Sequence, residues 1–282
     1  MRLVLPILIP ILIVAWGACP GALAQSARGR PGAVWTLPVE HHPWGRFRPG
    51  AWQTVRTVTE TLDQKGQVTS TSVTTTTSIL QAVTRDSFTL KVTVTMDVDG
   101  KEVRAAPKLV ERRFDGAGNG QQATTRCVGT RTVRIEGIPV VCTVYEREVI
   151  DEASRQHTRI FYSGKVAPYV IKQEQRSTDR SGKEALDKIV EEVVHRDRPR
   201  RYLSRLLETW TVKAVRTNSK GSITSLARQC EEIPGGLIDR TTKEKDSTGR
   251  LVRRSKLELV SYGFGGRRHL RRQPRSRFGS SR

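Results

Sequence analysis

The residues best able to do chemistry are few in this chain and badly spaced for it. Five histidines occur, at 41, 42, 157, 195 and 269. His41 and His42 are adjacent beside Glu40, but adjacent side chains on an extended chain point in opposite directions. No His-Glu-x-x-His or His-x-His spacing accompanies them, so they do not form a metal-ligand set. A serine hydrolase would need a Gly-x-Ser-x-Gly elbow, and none occurs. The acidic pairs Glu191-Glu192 and Glu231-Glu232 are neighbours that a strand would turn to opposite faces, which is not the facing geometry of a glycosidase. The Gly-rich stretch around Gly116, Gly118 and Gly120 lacks both the Gly-x-Gly-x-x-Gly spacing and a following helix, and reads as a hairpin loop. We therefore expect no catalytic residues, no metal and no cofactor: a non-catalytic protein, with an enzyme of unrecognised type as the lesser alternative.

Cationic residues are abundant instead. The chain has 49 Lys and Arg against 28 Asp and Glu, for a net charge of +21. Arg267, Arg268, Arg271, Arg272, Arg275 and Arg277 crowd a C-terminal stretch, 266–282, that contains no acid. Such a tail repels itself and has little to bury, so disorder is expected. Guanidinium groups pair bidentately with phosphate, which makes these six arginines candidate anion-binding residues. The corresponding partners are anionic lipid, lipopolysaccharide or an acidic wall polymer. A second cluster comprises Arg196, Arg198, Arg200, Arg201 and Arg205. Arginine enrichment from a GC-rich genome would produce the same surplus with no partner at all. No zinc-finger, helix-turn-helix or RNA-recognition signature is present, so specific nucleic-acid binding is not expected.

The N-terminus suggests where those partners would be met. Arg2, an apolar run from Leu3 to Trp16 and the small residues Ala22-Leu23-Ala24 have the layout of a secretory leader over 1–24. The run falls short of the roughly 20 residues that span a bilayer, and Pro6 and Pro10 interrupt it. A periplasmic or extracellular chain follows from this, with no transmembrane segment. Lipidation at Cys19 is a lesser alternative, because Trp16 and Pro20 fit a lipobox poorly. Cleavage would leave Cys127, Cys142 and Cys230, enough for one disulfide in an oxidising compartment. Cys127–Cys142 is slightly preferred over Cys142–Cys230, since Glu136-Gly137 could turn a hairpin between the first two.

The elements that would carry these residues are strands. Residues 25–47 are rich in Pro and Gly and read as an irregular lead-in. From residue 48 to 265 β-branched and hydroxylated residues dominate, which favours extended backbone. Phe88, Leu90, Val92, Val94 and Met96 alternate with polar residues and give one strand an apolar face, after which Asp99-Gly100 offers a tight turn. That apolar face would either pack a core or line a lipid-accepting groove. Residues 184–194 fit helix or strand. A weak internal repeat, 142–194 against 210–260, favours strand there, because Arg250–Val260 alternates. The expected fold is mainly β: an antiparallel curved sheet or open half-barrel, from two repeated halves if the repeat is real, with few helices.

Several of these pieces carry a resemblance. Gly137 to Glu146, Pro234-Gly235-Gly236-Leu237, Gly249 and Glu258-Leu259-Val260-Ser261-Tyr262-Gly263 resemble, over residues 127–263, a broad set of exported bacterial β-sheet proteins. Their sheet is similar to the curved, incomplete barrel of periplasmic lipoprotein carriers, which hold acyl chains in an apolar concavity. Arg228-Gln229-Cys230 stands where such proteins place an aromatic pair. The resemblance implies the fold, with ligand binding by analogy, and carries over no catalytic residue.

Overall fold

The computed structural model describes residues 36–98, 100–114, 116 and 122–265. The expected leader over 1–24 and the arginine-rich stretch, including Arg267, Arg268, Arg271, Arg272, Arg275 and Arg277, lie outside the described residues. Fourteen strands form one antiparallel sheet among the described residues. The first group is β1 (Ala51–Leu62), β2 (Val68–Val83), β3 (Ser87–Val98), β4 (Lys101–Arg104) and β5 (Lys108–Arg113). Next come β6 (Gln122–Ile135), β7 (Ile138–Ile150), β8 (Ser154–Tyr162), β9 (Val170–Asp179) and β10 (Ala185–Tyr202). The last are β11 (Arg205–Asn218), β12 (Gly221–Gln229), β13 (Leu237–Asp246) and β14 (Leu251–Phe264). No α-helix occurs among the described residues, and hence none long and apolar enough to cross a membrane.

Chain order explains most of the neighbours. The chain runs outward from β1 to β3, whose far side is shared by β4 and β5, then crosses to the opposite edge at β6. From there it meanders back strand by strand until β14 lies beside β1. The edges formed by β4 and β5 and by β6 do not pair, so the sheet is not closed into a barrel.

The sheet is nevertheless strongly curled. His42 packs on Phe88 of β3, while its neighbour His41 reaches Tyr162 of β8. Those strands are nine steps apart in the sheet, which laid flat at ~4.8 Å per step is about 43 Å. Two consecutive residues can touch both only if the sheet wraps around them. The lead-in is therefore not peripheral. After a single 3₁₀ turn at Val39–His41 it lies inside the curve, with Leu37, His42 and Trp44 buried.

The alternation expected at residues 88–98 forms β3, and the ambiguous 184–194 segment is the extended β10. β4 returns from β3 through a turn in which Asp97 accepts a hydrogen bond from the Gly100 amide at 2.8 Å.

Candidate functional site

The inner face of the sheet has an apolar end and a polar end. At the apolar end Phe88, Leu90 and Val92 are buried against Trp44, Ala51, Leu80 and Phe114, with Val94 at the margin of the cluster. Met96, further along β3, is half-buried. This face is covered by the chain's own lead-in. His42 lies between the rings of Phe88 and Phe114 at centroid distances of 4.6 and 4.9 Å. Its Nδ1 accepts from the amides of Trp44 and Gly45 at 3.1 and 3.2 Å. Burial, reinforced by nearby Arg46, lowers its pKa to about 3, so the ring is neutral and serves as an acceptor.

Two loops clasp the lead-in, and they repeat each other 67 residues apart. Ser163 donates its amide to the Tyr169 carbonyl at 2.7 Å, and Cys230 donates to Gly236 at 2.8 Å. Tyr169 in turn bonds back to Val166 at 2.9 Å, as Gly236 does to Ile233 at 2.8 Å. Tyr169 and Gly236 both have positive φ, 70° and 73°. The flanking strands carry the same register shift, at Phe161/Tyr162 and at Arg228/Gln229. From the first loop Tyr169 stacks on His41 at 3.7 Å, beside a 2.9 Å hydrogen bond between His41 and the Tyr162 hydroxyl. From the second, Glu231 pairs with Arg46 at 3.2 Å and the Gly235 amide donates to the Pro43 carbonyl at 2.9 Å.

Elsewhere on the inner face the β6–β7 hairpin folds over. Glu136 and Gly137, both with positive φ, make its turn. Glu136 then accepts hydrogen bonds from His195 and the Arg196 amide, each at 3.0 Å, which hold its carboxyl below the usual range. Ile135, Val140 and Cys142 thereby pack on Ile171, Val193, Trp210 and Val212. The hairpin between Cys127 and Cys142 is as expected, but the bridge is not formed. Cys127 stands opposite Tyr145 while Cys142 stands opposite Arg131, so the two are offset by three rungs of the ladder. Cys127 is exposed, Cys142 and Cys230 are buried in separate clusters, and all three are free thiols.

The polar end has a different make-up. Cross-strand partners place Ile160, Gln173, Glu191, Ala214, Ser225, Thr242, Ser255 and Thr59 in one row across the inner face. The next row holds Val193, Val212, Ala227, Arg240, Leu257 and Thr57. Glu191 is 8% exposed, and no hydrogen bond reaches it from the described residues. Burial pushes its pKa up to about 7 despite the opposing pull of Arg240. Arg240 is likewise without an ion pair or hydrogen bond among the described residues, and burial lowers its pKa. A shallow dent beside Glu191, lined by Val170–Gln173 of β9, Glu191–Val193 of β10 and Val212 of β11, is too small to hold a water molecule. Among the described residues no three His, Cys, Asp or Glu stand together as a metal site.

On the outer face most acids are engaged by a base. Glu146 is gripped by Arg159 at 2.7 Å and Arg126 at 2.8 Å, which hold its carboxyl well below the usual range. Arg254 pairs with Glu60, and Lys256 with Glu258 at 2.6 Å. One row departs from this pattern: His157, Arg176 and Lys188 stand side by side on β8, β9 and β10, exposed and without an ion pair among the described residues, while Glu148, next in the row on β7, is taken by Arg155 at 3.3 Å.

Sequence reasoning located none of His42, Glu191 or Arg240 as an interior group. Glu191 had one legible signal. It shares strand parity with Ile189 and Val193, where an apolar residue would continue the pattern.

No family model and no curated protein matches this sequence. Among solved structures the chain is similar to a Bacteroides fragilis protein proposed to be exported, with a YmcC-like fold. Identity is 10% and the TM-score 0.30, over 77% of this chain and 97% of that one.

Proposed function

We propose that this is an exported, non-catalytic protein that associates with anionic polymers or headgroups of the cell envelope. The leader-like N-terminus supports export. The row of His157, Arg176 and Lys188 carries the binding reading. Like charges directly opposite on neighbouring strands are destabilising, and a sheet that pairs so many of its other charges leaves this row for an external anion. The acyl-carrier alternative suggested by resemblance is disfavoured, because the apolar inner surface is already covered by Trp44 and its neighbours.

Cosedimentation of the mature chain with phosphatidylglycerol vesicles tests this. Binding should weaken several-fold in Arg176→Gln/Lys188→Gln and disappear at about 0.5 M salt, where screening is strong. Binding that persists in that salt, or that the double variant leaves untouched while removal of 266–282 abolishes it, would shift the role away from this row.

A further inference from the structure

We propose that the free edge of the sheet at β6 accepts an extended, acidic segment of another protein chain as a further strand. This edge lies apart from the cationic row on β8, β9 and β10, and the assignment does not depend on that row.

The two edges of the sheet are built differently. Beyond β3 the edge is split between β4 and β5, of four and six residues, with Pro107 between them. Short, charged strands broken by proline are how sheets discourage further pairing. β6 runs for 14 residues without a proline and pairs only with β7 among the described strands. A bulge at Val128 divides it, after which Gly129 to Ile135 stay in unbroken register with β7. From Gly129 to Arg134 every residue is exposed except half-buried Val133. The run is also fixed before any partner arrives, by Ile135 in its cluster and by the bonds from His195 and Arg196 to Glu136. Strand addition needs a preformed strand with backbone groups unpaired on one side, and here little further ordering opposes it.

Charge selects the partner. β6 carries Arg126, Arg131 and Arg134 and no acid. Arg126 is taken by Glu146 at 2.8 Å. Arg131 and Arg134 donate to the carbonyls of Thr130 and Gly137, at 3.2 and 2.9 Å, and meet no carboxylate among the described residues. Each guanidinium keeps donors in reserve. A second copy of this chain is a poor match, because its β6 would bring the same arginines and its β5 would bring Lys108, Arg112 and Arg113 against a single acid. Opposite charges across a strand pair are favourable and like charges are not. Arg131 stands opposite buried Cys142 and Arg134 opposite exposed Pro139, so the two guanidinium groups lie on opposite faces of the strand. An extended partner meets both with two acids spaced three residues apart, acid-x-x-acid. Between the acids, β-branched residues suit positions opposite Thr132 and Val133.

Hydrogen exchange of the mature chain, read by mass spectrometry, tests the assignment, because an anion bound to arginine side chains alone leaves backbone amides unprotected. The probe is an extended peptide of Thr and Val with two Glu spaced three residues apart. At about ten times its Kd, exchange over 129–135 should slow about tenfold at amides that face away from β7. Arg131→Glu/Arg134→Glu should weaken the peptide about tenfold, and a peptide with Lys in place of both Glu should recover the loss. Two further peptides are N-methylated at alternate residues, one at odd positions and one at even. One of them should lose all protection, since a strand presents every second amide to its neighbour. No protection at about 1 mM peptide, protection that both methylated peptides retain, or indifference to the arginine variants would overturn the proposal whatever the vesicle experiment shows. Protection present without peptide and relieved by dilution would give the edge to a second copy and overturn it equally.

Discussion

The two ends of the inner face each bury an ionisable residue, and they treat it in opposite ways. His42 is 5% exposed, enclosed by two phenylalanine rings, and given two backbone donors for its ring nitrogen. Glu191 is 8% exposed and given no hydrogen-bonding partner among the described residues. A buried polar group with its bonds supplied belongs to the architecture, whereas one without them is a standing cost. Equal burial therefore separates a residue that holds the lead-in from one whose burial is offset only by the distant charge of Arg240.

The strongest way to break that contrast is at Trp44. Its ring joins Leu80, Phe88, Leu90 and Phe114 in one cluster and also abuts Gly235 in the clasping loop. Trp44→Ala should destabilise the protein by about 3–5 kcal/mol, in the range for emptying a buried aromatic site. Urea unfolding followed by far-ultraviolet circular dichroism reads it directly. A loss below 1 kcal/mol would mean that the lead-in merely rests on the sheet.

The strands were legible because their signal is local. Alternation from Phe88 to Met96, the Thr-rich runs of β1 and β2, and the hairpin turn at Glu136-Gly137 are all visible within a few residues of one another. The role of the lead-in was not legible, for the same reason. Pro38, Pro43 and Pro49 mark residues 36–50 as irregular, and nothing nearby indicates that a fourteen-stranded sheet curls around them. Pairing of Cys127 with Cys142 failed at the level of register, which a bulge between Cys127 and Gly129 resets. Glu191 and Arg240 are 49 residues apart in sequence, and only the ladder through β11 and β12 puts them on one face.

A smaller effect sharpens the distinction between a loop that grips and a turn that only reverses the chain. Gly235 has φ +79°, and a Cβ there would come within 2.4 Å of the Gln53 side-chain amide and 2.9 Å of the Trp44 ring. Gly182 has nearly the same φ, +77°, with open space where its Cβ would be. Gly182→Ala should cost about 1 kcal/mol for the left-handed backbone alone. Gly235→Ala adds the clash and should cost about 2 kcal/mol or more, within the range for overpacking. Equal losses in thermal unfolding would show that Gln53 and Trp44 both yield at this contact.

The finest test uses pH, because the two buried groups have slopes of opposite sign. His42 falls from 6.5 in an unfolded chain to about 3 when folded, so acidification from pH 6.5 towards 3 loads a proton onto the unfolded state and lowers stability. The smaller downward shift at His41 adds in the same direction. Glu191 rises from 4.5 to about 7, so the folded state keeps a proton the unfolded state has lost, and stability falls as pH rises from 4.5 through 7. Each full proton is worth at most about 1.4 kcal/mol per pH unit. Between pH 4.5 and 6.5 the two contributions oppose, and the wild-type protein should be nearly flat. His42→Gln keeps an acceptor for the amides of Trp44 and Gly45, and should leave a protein that gains stability as pH falls through this window. Glu191→Gln should leave one that loses stability over the same interval. Urea midpoints at pH 4.5, 5.5 and 6.5 distinguish these outcomes. Parallel curves for the two variants would mean that burial on the inner face does not push the two groups in opposite directions.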